Sequence, residues 1–168
     1  MNWIAPTASI LEILLLLYVA TIDVATRLIR NEICLALALL GIASQLTGPV
    51  QLAESLISAA ILFLLLFVLY TRGAIGGGDV KLLTALAIGF PLAGVIQLLT
   101  ITALAGGVLA LMHLLMRLLP YPRLAPVGSS LVRRVYAVER WRHLRQAPLP
   151  FGVAIACGGI WAILSKGV

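Results

Sequence analysis

The sequence predicts an all-α protein: a polytopic membrane helix bundle with about six transmembrane helices. Of its 168 residues, 62% are hydrophobic and only 11% are charged, whereas a soluble domain carries roughly 25% charged residues. The apolar residues also form long runs that short polar connectors separate. Because a chain of this size has room for one compact bundle, residues 1–168 are predicted to form a single membrane-embedded domain.

Each predicted span is an apolar run that stops at a polar residue or a turn signal. Asp23 closes the first run, and Thr47-Gly48-Pro49 and Phe90-Pro91 mark reversals further along. The fifth run is long enough to tilt or to extend beyond the bilayer, since roughly 20 residues suffice to cross. The six predicted spans are, approximately, Ser9–Ile22, Ile33–Leu46, Leu56–Tyr70, Asp79–Phe90, Leu92–Leu119 and Phe151–Leu164.

Several reactive side chains lie inside these runs, and we interpret them as structural. Glu12 is in the first turns of span one, and its interpretation is an interfacial residue near the outer headgroups. Cys34 and Cys157 are far apart and belong to no CxxC pair, so we interpret both as small core residues and expect no zinc site. The sequence therefore predicts no metal and no cofactor.

The distribution of basic residues predicts the orientation in the membrane. The net charge is +6, but the basic residues alternate with spans, so we expect lipid contacts and no nucleic-acid partner. The arginine-rich segment Pro120–Pro148 is predicted to lie on anionic headgroups. Six crossings put both termini on one side and every arginine-bearing connector on the other. By the positive-inside rule the arginine side is cytoplasmic and the termini are outside.

Two aspartates lie at span ends, and the number of crossings between them predicts that they meet. Asp23 ends span one and Asp79 begins span four, so two crossings separate them and both emerge on the cytoplasmic face. An ionisable residue at a membrane border is by default a functional-site hypothesis. Gly76, Gly77 and Gly78 leave bare backbone directly before Asp79, which allows another chain to approach closely.

Two neighbouring carboxylates predict acid–base chemistry. Such a pair shares one proton, so it offers a base and an acid together. The base takes a proton from water, which attacks an amide carbonyl, and the acid helps to protonate the leaving nitrogen. The backbone N–H groups of Gly77 and Gly78 are predicted to pair with an extended substrate. Lys81 either anchors its helix at the interface, or contacts the substrate or tunes the aspartate pair.

Other catalytic and phosphate-binding motifs are missing from the sequence. It contains no Ser-x-x-Lys, no Gly-x-Ser-x-Gly and no His-Glu-x-x-His. The run Gly76–Asp79 also lacks the Gly-Lys-Ser/Thr ending of a P-loop. The paired aspartates therefore remain the best candidates for chemistry.

Three segments resemble the type IV prepilin peptidases, which are intramembrane aspartyl peptidases. Gly76–Lys81, Gly-Gly-Gly-Asp-Val-Lys, resembles their Gly-x-Gly-Asp motif. Asp23 followed by Ile29–Asn31 resembles the family's Asp…Ile-Pro-Asn segment, with Arg30 where the family usually has proline. Pro150–Ile155 resembles the Pro-Tyr/Phe-Gly-x-Ala-Ile start of the last span.

The resemblance implies an endopeptidase of the inner (plasma) membrane that cleaves the basic leader of a prepilin or pseudopilin on the cytoplasmic face. The length of the chain resembles that of the short family members that serve tight-adherence (Flp-type) pili. Longer, bifunctional members carry an N-terminal cytoplasmic domain with paired CxxC motifs and also methylate the new N-terminus. The resemblance implies catalytic roles for Asp23 and Asp79. The implied substrate-binding residues are Gly76, Gly77, Gly78, Lys81, Asn31, Pro150 and Gly152.

Two alternatives belong to other functional classes. A small proton-coupled transporter would use the two aspartates as a relay, but such carriers place acids near the bilayer midplane and contain inverted repeats. The sequence shows no internal repeat, and both acids lie at span ends. A non-catalytic membrane subunit of a secretion or pilus assembly would keep the acids as structural pairs. The oligomeric state is not readable from the sequence.

Overall fold

The computed structural model describes residues 4–45, 49–118 and 149–165, and these parts of the chain contain six helices. Three segments are long and apolar enough to cross a membrane: Pro6–Thr26, Leu52–Thr71 and Leu92–Leu115. The prediction of an all-α membrane helix bundle is confirmed. The helices are α1 (Ile4–Thr26), α2 (Asn31–Gln45), α3 (Pro49–Thr71), α4 (Gly77–Ala87), α5 (Leu92–Leu118) and α6 (Phe151–Ser165).

The described chain falls into two compact units. The part up to Gly106 and Pro150–Ser165 form the first unit, and the remainder of α5 belongs to the second. The arginine-rich segment Pro120–Pro148, predicted to lie on headgroups, is outside the described residues. The single membrane-embedded domain stays a prediction.

Helix α1 carries one buried stripe along its length. Ala8, Glu12, Leu16, Val19 and Asp23 are all buried, and their spacing of three or four residues puts them on one helical face. The interpretation of Glu12 as a headgroup residue is therefore wrong, since only 3% of it is exposed. The helix also continues past Asp23 to Thr26, so this acid lies within its last turn.

Helix α6 packs closely against α1 and α4 because it has a glycine at the contact. A Cβ atom on Gly159 would lie 2.8 Å from Leu16 Cδ1 and 3.2 Å from Leu86 Cδ1. Leu16 and Ile155 are fully buried in the same core. Small residues allow such close helix contact inside a bilayer, and here the contact holds the three helices that carry the site.

Many apolar side chains outside this core are exposed, as expected where lipid is the solvent. On α3 the exposed residues include Ile57, Ile61 and Leu64. Cys34 is buried as interpreted from the sequence, but Cys157 is exposed on α6. The interpretation of Cys157 as a core residue is therefore wrong.

The predicted reversal at Phe90-Pro91 is present between α4 and α5. The Gln45 side-chain amide donates a 2.7 Å hydrogen bond to the carbonyl oxygen of Gly89, and the Leu92 N–H donates to Glu54 Oε1 at 3.3 Å. Residues of α2 and α3 thus stabilise the turn. It lies at the C-terminal end of α4, whereas the candidate site lies at the N-terminal end.

Candidate active site

The predicted site residues come together at one end of the helix bundle. At this end α1 and α3 finish and α2, α4 and α6 begin. Four contacts across the sequence define it: Asp23 with Gly152, Gly78 with Ile29, Gly77 with Tyr70, and Lys81 with Asn31. All nine predicted site residues lie within the described chain and at this end.

Asp23 is buried against the first turn of α6. Only 5% of the residue is exposed, and its Oδ2 accepts a 2.8 Å hydrogen bond from the Gly152 N–H. The Val153 N–H also interacts with this carboxylate. A helix N-terminus is a natural site for an anion because its N–H groups have no intrahelical acceptors. The helix therefore compensates the burial of the acid.

Gly152 is required for this contact to be so close. A Cβ atom at that position would lie 2.8 Å from both Cγ and Oδ2 of Asp23, and 3.0 Å from its Cβ. The neighbouring Pro150 is buried, and its carbonyl oxygen accepts a hydrogen bond from the Val153 N–H at 3.2 Å. Pro150 and Gly152, both predicted as substrate-binding residues, therefore lie in the turn that holds Asp23.

Asp79 lies at the third position of α4 and is half-buried. Its carboxylate turns back to the N-terminal residue Gly76, whose backbone N–H donates to it. This is the acidic half of a capping box, which satisfies a backbone N–H that the helix itself leaves without an acceptor. Gly76 has an extended backbone and contributes no side-chain cap of its own.

The two carboxylates interact electrostatically with each other. Asp23 is buried at the end of α1 and faces the N-terminus of α6, whereas Asp79 is half-buried in the first turn of α4. Two carboxyl groups that interact in this way can share a proton, and their use as a base and an acid is a proposal. Among the described residues, no group of three or more His, Cys, Asp or Glu side chains is arranged to hold a metal ion.

The glycine run before Asp79 packs against neighbouring side chains. A Cβ atom on Gly77 would lie 3.2 Å from Tyr70 Cε2, and one on Gly78 would lie 3.4 Å from Ile29 Cβ. Gly77 and Gly78 are the first two residues of α4, so their N–H groups have no acceptor within the helix. Binding of an extended peptide there remains a proposal.

Lys81 and Asn31 form a hydrogen bond at the rim of the site. Lys81 Nζ donates to Asn31 Oδ1 at 3.1 Å, and both residues are exposed. Nearby, the Arg30 guanidinium pairs with Glu32 at 3.2 Å, with 63% and 73% of these side chains exposed. The arginine in the proline position thus lies at the surface.

Sequence reasoning did not identify Arg27, Tyr70 or Ile29 as neighbours of the acids. Arg27 interacts electrostatically with Asp23, and a spacing of four residues, one helical turn, is the signal that could have found it. Tyr70 and Ile29 contact the glycine run. Their sequence positions, before the glycine loop and beside Asn31, contained no comparable signal.

Comparisons with known proteins agree with this geometry. A family model described as the type IV leader peptidase family matches residues 10–111. The chain is 28% identical over 164 residues to the prepilin leader peptidase/N-methyltransferase of Pectobacterium carotovorum subsp. carotovorum, covering 90% of this chain and 49% of that protein. The chain thus spans about half the length of this curated relative. No solved structure matches this chain.

Proposed function

The chain belongs to the type IV leader peptidase family, and from this premise we propose that it is an intramembrane aspartyl endopeptidase of prepilins or pseudopilins. One observation carries the proposal: the carboxylates of Asp23 and Asp79 interact at the same end of the bundle, beside the N-terminus of α4, where the Gly77 and Gly78 N–H groups have no acceptor within the helix. The sequence offers no other pair of groups with the same chemistry.

The reaction is hydrolysis of one peptide bond in the leader of the substrate. One carboxylate takes a proton from a water molecule, whose oxygen attacks the scissile carbonyl carbon. The protonated partner donates a hydrogen bond to the developing oxyanion, and the C–N bond breaks as the nitrogen takes the proton that the first carboxylate removed from water. Because Asp79 is half-buried and Asp23 is buried, water and substrate reach the pair from the Asp79 side.

The substrate assignment follows from the family and from the relative's name, a prepilin leader peptidase. We propose a precursor with a short basic leader and a hydrophobic helix that stays in the membrane, of the Flp type. Cleavage takes place on the cytoplasmic face of the inner membrane. The exposed Lys81–Asn31 pair and the N–H groups of Gly77 and Gly78 bind the segment around the scissile bond.

The test is processing of a co-expressed prepilin by Asp23→Asn and Asp79→Asn variants. Each substitution preserves shape and removes the ionisable group, so each variant folds but leaves the precursor uncut. Mass spectrometry of the pilin distinguishes precursor from product. Glu32→Gln is the matched control, because it neutralises an exposed acid outside the pair, and it processes the precursor as the wild type does.

Full processing by either aspartate variant would refute the dyad. A wild-type protein that leaves both the co-expressed precursor and a synthetic leader peptide uncut would favour the non-catalytic subunit instead.

A further inference from the structure

Arg27 has an unusual backbone conformation directly after α1. Among the residues that the structure describes, it is the one non-glycine residue with a positive φ, 59°. Its N–H donates to the Asp23 carbonyl oxygen at 3.0 Å, so the chain turns away one helical turn beyond that acid. The left-handed region costs a residue with a Cβ roughly 1–2 kcal/mol, which glycine avoids and asparagine reduces.

The side chain of Arg27 is directed into the protein. Its Nε and Nη1 atoms are buried, and its charge interacts with the Asp23 carboxylate. An arginine at a membrane border ordinarily extends its guanidinium to water. Burial of guanidinium nitrogens is costly unless an anion compensates it, and the buried carboxylate of Asp23 is such an anion.

Two simpler roles do not account for this arrangement. A cation near the C-terminus of α1 would interact favourably with the helix dipole, and an arginine in this connector would help to orient the chain. Both roles are fulfilled by an exposed side chain on an unstrained backbone. Neither requires buried nitrogens or a left-handed residue.

We propose that Arg27 is a positioning residue for peptide cleavage: its cation and the Gly152 N–H together hold the Asp23 carboxylate in its working orientation. The inference rests on the proposed peptidase function. Among the described residues, the groups that interact with Asp23 are Arg27 on its own element, Asp79 from α4, and the backbone N–H groups of Gly152 and Val153 from α6. Arg27 is the one cation among them.

The decisive experiment compares four Arg27 variants in detergent, with a purified prepilin as the substrate. Arg27→Gly and Arg27→Asn suit the left-handed backbone but remove the charge, Arg27→Gln removes only the charge, and Arg27→Lys retains it. We expect the neutral variants to lose about tenfold or more in kcat with KM nearly unchanged. The acidic limb of their pH–rate profile moves up by about one unit, because a nearby cation favours the ionised carboxylate. Arg27→Lys restores both.

A second measurement does not depend on cleavage. Thermal unfolding of Arg27→Gln, Asp23→Asn and the double variant tests whether the two side chains stabilise each other. We expect the double variant to lose less in Tm than the two single variants together. If the wild type cuts no prepilin, the proposed function is refuted. The comparison of these three variants still shows whether Arg27 and Asp23 stabilise each other.

Two results would overturn the inference. One is additive losses in Tm. The other is that the neutral variants keep the wild-type kcat per folded molecule and an unchanged pH–rate profile. That result, whatever the Tm of the variants, would mean that Arg27 has a structural role only.

Discussion

At the residue scale, the site depends on side chains that are absent as much as on those present. Asp23 obtains its 2.8 Å hydrogen bond only because residue 152 has no Cβ. The other acid, Asp79, satisfies the backbone N–H of Gly76 at its own helix N-terminus. Each carboxylate thus accepts a hydrogen bond from a backbone N–H before any substrate binds, a form of preorganisation.

Gly152→Ala tests this support. The added methyl would lie 2.8 Å from Asp23 Cγ, so the acid must rotate or α6 must shift, at a cost of about 1–3 kcal/mol. We expect prepilin cleavage per folded molecule to fall at least tenfold, by analogy with the roughly 100-fold cost of a small misplacement of a catalytic group. Processing assays and Tm in detergent measure the two effects.

Gly107→Ala is the matched control for that variant. Among the described residues, no atom outside the adjoining backbone of α5 lies within 4 Å of a Cβ at this position, and alanine favours a helix over glycine by about 1 kcal/mol. Cleavage should therefore stay at the wild-type rate and Tm should not fall. Equal activity of Gly152→Ala and the wild type would show that the close contact is dispensable.

At the scale of the helices, the end of α1 determines where Asp23 points. The buried stripe of this helix runs from Ala8 to Asp23, and the helix stops at Thr26, where Arg27 turns the backbone. Residues 28–30 form no helix or strand before α2 begins at Asn31. A longer α1 would carry the connector away from Gly78, which Ile29 contacts.

Arg30→Pro tests the connector. Residue 30 precedes the first residue of α2 and its carbonyl oxygen accepts hydrogen bonds from Ile33 and Cys34, a function that proline retains. The variant loses the Arg30–Glu32 ion pair, which contributes little to stability because both side chains are exposed and water screens their charges. We expect wild-type cleavage and a Tm close to that of Arg30→Ala, which loses the same pair without adding a ring. A large loss confined to the proline variant would contradict this account of the connector.

At the scale of the whole molecule, the hairpin connections between helices bring the site residues to the same end of the bundle. Residues near positions 23, 79 and 152 meet because an even number of helices lies between the first two and because α6 contacts both α1 and α4 at Gly159. The opposite end of α4 is held by Gln45 and Glu54. The bundle therefore separates the reactive end from the structural end along α4.

Cysteine labelling tests the predicted orientation of this bundle. In a background with Cys34 and Cys157 replaced by alanine, Arg30→Cys and Leu92→Cys place single thiols at exposed positions separated by three helices. An impermeant maleimide should label Leu92→Cys in intact spheroplasts and Arg30→Cys only after the membrane is permeabilised. Labelling of Arg30→Cys in intact spheroplasts would place the acids on the outer face and reverse the topology.

The sequence alone was sufficient for the helical class, and it predicted the pairing of Asp23 with Asp79 and the role of Gly76–Gly78 as accessible backbone, both of which stay predictions. These follow from hydropathy, from the parity of crossings and from local composition, all of which are properties of the linear chain. It misjudged Glu12 and Cys157 because lipid and protein interior are both apolar, so hydropathy does not tell which face of a helix packs.

Only the tertiary structure decided how the acids are held. The burial of Asp23 and the hydrogen bond that the Gly152 amide donates to it depend on distances between helices remote in sequence. Such contacts arise from close packing of whole helices, where the absence of a single methyl group determines how near two helices can come to each other. No local pattern of residues encodes that separation.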